Sequence, residues 1–255
     1  ADNTFKKNGK GVQRLRKNYA RITKRVDVED LVKAGMRSYL RYWIDTFRFP
    51  NWNKERIVST VVCDGEEKLR NPISQGRGVI VAIPHAGNWD HAAAYFCSTN
   101  LPLTTVAEHL EPDKLFRKFL EFRQNIGMEV LDLNSRSIAT LSQRARSGKM
   151  IALVADRDLS KNGVEVELAG HTAKFPAGPA LLAIQTGAAL ITAFIRYEKN
   201  GIHIYFHDEI TVPIEGDNQS KVRQMTQEIA NRFGNELEKD PVDWHMLQRI
   251  WPDLG

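Results

Sequence analysis

The chain has 255 residues, 42% hydrophobic and 26% charged, with a net charge of +5, which describes an ordinary soluble globular protein of one large or two small domains. Its two cysteines, Cys63 and Cys97, form no CxxC pair, which excludes a disulfide framework, argues against structural zinc and points to a reducing compartment. No apolar run reaches the ~18 residues of a spanning helix, because the longest, from Ala180 to Ile195, is broken by Gln185, Thr186 and Gly187.

The positive charge is concentrated at the start. Nine lysines and arginines lie between Thr4 and Val26 with no acid among them. Val12, Leu15, Tyr19 and Ile22 recur there at helical spacing. A basic amphipathic helix of this kind serves as a membrane-surface element or a nucleic-acid patch, or it docks its apolar side on the protein and leaves its charges solvated. Docking is the favoured reading for the fold. Membrane adhesion ranks above nucleic acid for function, since no nucleic-acid-binding signature is present. There is no signal-peptide pattern and no initiator methionine, so an upstream segment is to be expected. Residues 27–47 read as a second helix, opened by Asp27 with Asp30 as a loose capping box and closed by Arg48 to Trp52. Trp43, Phe47, Phe49 and Trp52 make its exit aromatic, suited to a core or to facing lipid or an acyl chain.

From Gly78 the pattern alternates. Strands are expected at 78–83, 103–107, 128–133 and 149–155, with helices at 88–98, 113–125 and 135–146 between them. Gly127 and Gly148 stop two of those helices. Residues 164–168 and 172–175 read as a hairpin around Gly170, and a helix opens after Pro176 and runs to Thr186. Strands 189–197 and 201–207 flank an Asn-Gly turn signal, and 220–238 form a long last helix. The alternation predicts a single α/β domain: a central, mostly parallel mixed sheet, covered by helices on both faces, with N-terminal helices. Within 1–255 the basic amphipathic helices occupy 1–52, expected on or near the membrane, and the catalytic core occupies 78–255.

The densest chemistry follows the first strand of that core. Pro84 ends the strand, His85 sits at its carboxyl end, Asn88 is a helix N-cap, and Asp90 falls in the first helical turn. A turn at Gly87 would fold Asp90 against the His85 ring, making an imidazole with a carboxylate orienter that can take a proton from a hydroxyl. The alternative is structural: the acid answers the helix dipole and the histidine belongs to a loop. Glu108 with His109, and Asp156-Arg157-Asp158, end two other strands, so three strands deliver ionisable groups to one edge, where open α/β sheets bind ligands. Arg123, late in its helix, reads on position alone as a cation favoured by the dipole, and Asp156-Arg157-Asp158 reads alternatively as an ion-pair turn. There is no dinucleotide fingerprint, Walker pattern, serine-hydrolase elbow or zinc spacing. Cys97 reads as a packed small residue.

His85-Ala-Gly-Asn-Trp-Asp90 resembles the motif of the glycerolipid and lipid A acyltransferases, in the HxGNWD form of the bacterial lipid A late acyltransferases and their actinobacterial relatives. Thr104 to Glu108, Glu121-Phe122-Arg123, Ala155 to Leu159, Pro176 to Pro179 and Asp243-Trp-His-Met-Leu-Gln248 resemble the phosphatidylinositol mannoside acyltransferases, as does the basic helix ending near Tyr19-Ala20-Arg21. The similarity spans nearly the whole chain. It implies transfer of a fatty acyl group, typically palmitoyl, from acyl-CoA to a mannose hydroxyl of phosphatidylinositol mannoside by a peripheral protein at the cytoplasmic face of the plasma membrane. It implies His85 as base with Asp90 as its partner. Glu108, Arg123, Asp156, Arg157 and Asn88 would bind substrate, with acyl-CoA as co-substrate and neither cofactor nor metal. The mycobacterial members carry glutamate where this chain has Asp156, whose carboxylate is shorter by about one methylene. Other readings are an acyl-CoA thioesterase, an acyltransferase for another glycolipid, and a non-enzymatic module for anionic membranes or nucleic acid.

Overall fold

The strand Val79–Ile83 is buried along its whole length and divides its side chains between two cores. Ile80 and Ala82 pack on one side of a sheet, and Val79, Val81 and Ile83 on the other, as the two-residue period of a strand dictates. The computed structural model describes residues 1–107, 113–132, 135–158, 160 and 162–254, without the side chains of 113–115, 119, 135 and 136.

The first elements are α1 (Asp2–Lys7), α2 (Lys10–Thr23), α3 (Glu29–Arg48), a 3-10 turn at Phe49–Asn51, α4 (Lys54–Ser59), β1 (Val61–Asp64) and α5 (Glu66–Ser74). The core then runs β2 (Val79–Ile83), α6 (Trp89–Ser98), β3 (Leu103–Ala107), α7 (Asp113–Asn125), β4 (Glu129–Asp132), α8 (Ser135–Arg146) and β5 (Met150–Val154). It closes with β6 (Val164–Leu168), β7 (His171–Phe175), α9 (Gly178–Thr186), β8 (Ala189–Glu198), β9 (Gly201–Phe206) and α10 (Asn218–Lys239). Among the described residues seven strands form one sheet in the order β1-β9-β8-β2-β5-β3-β4. Only β8 and β9 pair antiparallel within it, while β6 and β7 make a separate hairpin. This is the expected single α/β architecture, with a mostly parallel mixed sheet between helical layers.

Residues 53–77 add what the periodicity did not announce. β1 has four residues and pairs parallel with β9 at the sheet edge. α5 carries Pro72 in its interior, which masks it as a helix in the sequence.

α2 settles the choice left open for the basic helix. Val12, Leu15, Tyr19 and Ile22 are buried in the protein's own core, so its apolar stripe is used inside the molecule. Each such side chain contributes about 1.5–3 kcal/mol by leaving water. Tyr19 lies so close under α3 that a side-chain carbon at Gly35 would stand 2.4 Å from its hydroxyl. That hydroxyl donates to the carbonyls of Val242 and Trp244, each at 3.0 Å, and Asn18 donates to the carbonyls of Met246 and Gln248. The N-terminal helix thus clamps the C-terminal segment. The capping box expected at Asp27 is absent: Val28 is the N-cap of α3, Asp27 accepts from the Glu29 N–H, and Asp30 pairs with Arg25.

The connection from β2 to β3 runs through α6 on one face of the sheet, and that from β5 to β8 runs through α9 on the other. Connections leaving neighbouring strands on opposite faces open a crevice at the strands' carboxyl ends.

Candidate active site

Register brings two distant residues together there. Ile83 of β2 pairs with Val154 of β5, and the Ala155 N–H donates to the Ile83 carbonyl to extend the ladder. His85 and Asp156 each follow that pair by two residues. The His85 Nδ1 lies 2.6 Å from the Asp156 Oδ1, and the His85 backbone N–H donates to Oδ2 at 2.9 Å. The indole Nε1–H of Trp244 donates to the same Oδ2 at 2.8 Å. Burial pushes the Asp156 carboxyl up, but the adjacent ring and these hydrogen bonds outweigh burial and hold it below the ordinary aspartate range. The anion therefore fixes the Nδ1–H tautomer and leaves Nε2 as the ring's proton acceptor. The His85 side chain keeps 31% of its surface exposed, whereas Asp156 keeps 1%, so a substrate reaches the ring and not the acid.

The Asp90 carboxylate, expected at the His85 ring, stands elsewhere. Its Oδ1 accepts from Arg123 Nε at 2.8 Å, and its Oδ2 accepts from the Tyr42 hydroxyl at 2.8 Å and from Arg123 Nη2 at 3.4 Å. The reason is local geometry. Gly87 turns the chain at φ +62°, Asn88 caps α6 by accepting the His91 N–H at 2.9 Å, and Trp89 lies edge-on beside His85 at 5.8 Å between centroids. Asp90, one residue further round the first turn, faces α3 and α7 instead. Gly87 is required twice over, by its positive φ and because a side-chain carbon there would sit 2.5 Å from the Ile195 carbonyl oxygen. Asp90 thereby fixes Arg123, which burial alone would make less basic but which Asp90 and Tyr42 hold above the ordinary arginine range.

Of the other expected substrate-binding residues, Asn88 is wholly buried as a cap, with its Nδ2 lacking a hydrogen-bond partner among the described residues. Arg157 turns to the C-terminal segment and donates to Gln248 Oε1. Glu108 and His109 lie outside the described residues. The reading of Arg123 as a dipole-favoured cation omits its main contact, the bidentate grip on Asp90. The shorter acid at position 156 reaches His85 fully, because β2 and β5 are adjacent and in register.

Sequence reasoning assigned no role to Trp244, Tyr42 or the Ser38–His245 contact. The Asp243-Trp244-His245 segment lies against the motif loop: the Gly87 N–H donates to the Asp243 carbonyl, the His245 N–H donates to the His85 carbonyl, and Ala86 bridges Trp244. Ser38 donates to Asp243 at 2.6 Å and lies 2.9 Å from His245 Nε2. Burial, with His85 nearby, pushes the His245 imidazole down to about 3. The only signal for this segment was its place among the motifs shared with the acyltransferases.

An apolar cavity of about 70 Å³ opens between the sheet, α6 and α7, with Asp90 and Arg123 among its walls. Ile83, Ala92, Ala93, Ala152 and Phe206 supply its apolar surface. Cys97 is half-buried and Cys63 is pushed up to about 12 by burial and nearby Glu66, while burial also raises Cys97, so neither is a ready thiolate nucleophile. Among the described residues no group of side chains could hold a metal ion, and no helix is long and apolar enough to cross a membrane.

The fold and the histidine–carboxylate pair define an α/β protein with an accessible imidazole held by a buried anion, and Trp89, edge-on to that ring, is the residue that also lines the apolar cavity. The sequence model of the bacterial lipid A biosynthesis acyltransferases matches residues 3–252, and the chain belongs to that family. It is 38% identical over 247 residues to the phosphatidylinositol mannoside acyltransferase of Mycolicibacterium smegmatis, covering 94% of this chain and 80% of that protein. It is 36% identical over 249 residues to the phosphatidylinositol mannoside acyltransferase of Mycobacterium tuberculosis, covering 94% and 77% respectively. The chain is therefore an acyltransferase.

Proposed function

We propose that the protein moves a long fatty acyl group, palmitoyl in the simplest case, from acyl-CoA to a mannose hydroxyl of phosphatidylinositol mannoside, working as a peripheral protein at the cytoplasmic face of the plasma membrane. The observation that carries the chemistry is the His85–Asp156 pair, with its buried anion and accessible ring, at the carboxyl ends of neighbouring central strands. The acceptor follows the names of the relatives.

A sugar hydroxyl is a weak nucleophile at neutral pH. His85 Nε2 takes its proton as the oxygen attacks the thioester carbonyl carbon, an assistance typically worth about 10²–10⁴-fold. Asp156 stabilises the resulting imidazolium without taking the proton itself. The tetrahedral oxyanion is met by backbone N–H groups at the start of α6 and by the Arg123 guanidinium that Asp90 holds. Collapse breaks the carbon–sulfur bond, and the imidazolium proton passes to the CoA thiolate. The product ester leaves with no acyl-enzyme, consistent with the high thiol pKa values of both cysteines. The acyl chain enters at the apolar cavity beside Arg123, which at about 70 Å³ must widen to hold a long chain, and each CH₂ buried there contributes about 0.8 kcal/mol.

The test is thiol release from palmitoyl-CoA with and without phosphatidylinositol mannoside. Acceptor-dependent release with formation of acylated glycolipid is expected. Release that ignores the acceptor would make the protein a thioesterase, and acylation of a different glycolipid would replace the acceptor.

A further inference from the structure

The outer stripe of α3 is built unlike a solvated helix face. Lys33, Arg37, Leu40, Ile44 and Phe47 follow each other at alternating steps of four and three, so they share one side of the helix. Tyr42 and Thr46 on the opposite side are buried, as are Val32 and Met36 along one border of the stripe. On the outer stripe Ile44 is 50% exposed and Phe47 is 67% exposed, and Trp43 stands beside them with its ring 6.4 Å from that of Phe47. The position where a water-facing helix carries charge is here apolar over its last two turns.

The surroundings are cationic. Lys33 and Arg37 precede the apolar turns, Arg48 follows them, and α1, which packs on α3, adds exposed Lys6 and Lys7. Of the nearby acids, Asp45 is turned in toward Arg41 at 3.6 Å, and exposed Asp2 is paired with Arg37 at 3.0 Å, so Lys33, Arg48, Lys6 and Lys7 carry the excess positive charge. The inner side of the same turns belongs to the site, since Tyr42 bonds Asp90 and lies tilted against Trp89, the neighbour of His85, at 4.4 Å between centroids. The outer stripe and the site are therefore separated by about one helix diameter, roughly 10 Å.

We infer that this outer stripe of α3 is the protein's bilayer contact, with Ile44 and Phe47 inserted among acyl chains and the flanking cations set against anionic headgroups. A second copy of the chain is a poorer occupant. Its identical cationic surround would repel, and three apolar side chains fall well short of the ~800 Å² per partner of a standard protein interface. A helix lying in the interface plane needs only this kind of face, buried about 5–10 Å deep. The inference rests on the lipid-acceptor reading for its purpose: it places the site where a glycolipid headgroup arrives without leaving the membrane.

The experiment is co-sedimentation with phosphatidylcholine vesicles, with and without phosphatidylglycerol, for wild type and the Ile44→Ser/Phe47→Ser double variant. Wild type is expected to pellet with the anionic vesicles. The double variant should partition about tenfold less or weaker still, because two inserted side chains are lost. Its thiol release from palmitoyl-CoA in detergent, without vesicles, should be unchanged, so the contact surface and the catalytic reading fail separately. A double variant that pellets like wild type would overturn the inference. So would a wild-type dimer that the double variant abolishes while vesicle binding persists. A Phe47→Cys protein carrying a nitroxide provides the second reading, whatever the fate of the double variant. On vesicles the label should be shielded from an aqueous nickel chelate and open to oxygen. A vesicle-bound protein whose label stays open to the chelate binds by another face and refutes the assignment.

Discussion

Asp156→Asn separates the two carboxylates of the site. The substitution preserves shape but removes the charge that faces His85 at 2.6 Å. With charge centres about 4 Å apart and an effective dielectric near 20, the lost attraction for the imidazolium is about 4 kcal/mol, or roughly 10³-fold in rate if it is fully expressed in the transition state. Three donors converge on this carboxylate, and an amide nitrogen can satisfy none of them, so one of the two oxygen positions becomes a mismatch. In Asp156→Asn, kcat for thiol release from palmitoyl-CoA at saturating acceptor should therefore fall by about 10²–10⁴ with KM little changed. Asp156→Glu, which keeps the charge, should lose far less. Asp90→Asn should behave differently. It leaves the Arg123 guanidinium, 17% exposed, without its anion, a change that typically costs about 3–5 kcal/mol, so it should register first as a lowered Tm. A folded Asp156→Asn protein with kcat within a few-fold of wild type would refute the assignment of Asp156 as the orienting acid.

Other consequences follow from the same geometry. Trp244→Phe keeps the ring but removes the donor to Asp156 Oδ2; stability should fall by about 1–3 kcal/mol, and the acid limb of the pH–rate profile should move to higher pH as the carboxyl loses stabilisation. Ala93→Phe fills the cavity wall, so KM for palmitoyl-CoA should rise while turnover of acetyl-CoA is spared; equal losses on both donors would remove the acyl chain from that cavity. Burial pushes His91 down to about 4 and His245 to about 3, below their unfolded value near 6.5. The unfolded chain then binds more protons than the folded one from about pH 6.5 down to those values. Over that window His91 should thus remove on the order of 3 kcal/mol of stability and His245 on the order of 5, read as a Tm that drops as pH falls below about 6.5; a flat Tm between pH 6.5 and 4.5 would contradict their buried, neutral state.

Much of this arrangement was legible in the chain, and what was missed has physical causes. The apolar run before Pro84 and the alternation after it located β2 and α6, because burial on both faces writes a continuous hydrophobic strand. The same alternation placed His85 and Asp156 at one sheet edge. Their contact depends on β2 and β5 being neighbours in register, which is a property of strand order and not of spacing along the chain. A pairing of His85 with Asp90 uses residues close in sequence, but the turn at Gly87 sends Trp89 to the ring and Asp90 to Arg123. Trp244 was hidden for a like reason, since an irregular C-terminal segment has no period to read. The basic helix posed a different problem. Its amphipathic pattern favours docking for the fold but also fits membrane adhesion, and the contacts of Tyr19 and Asn18 with the C-terminal segment show which surface its apolar side covers.

His85 is the group on which the chemistry turns. Purified His85→Ala protein, shown folded by an unchanged melting transition, should be assayed for CoA thiol and acylated glycolipid from palmitoyl-CoA and phosphatidylinositol mannoside. Loss of both products by about 10² or more is the predicted result. Acylated glycolipid formed at the wild-type rate would show that another group takes the proton.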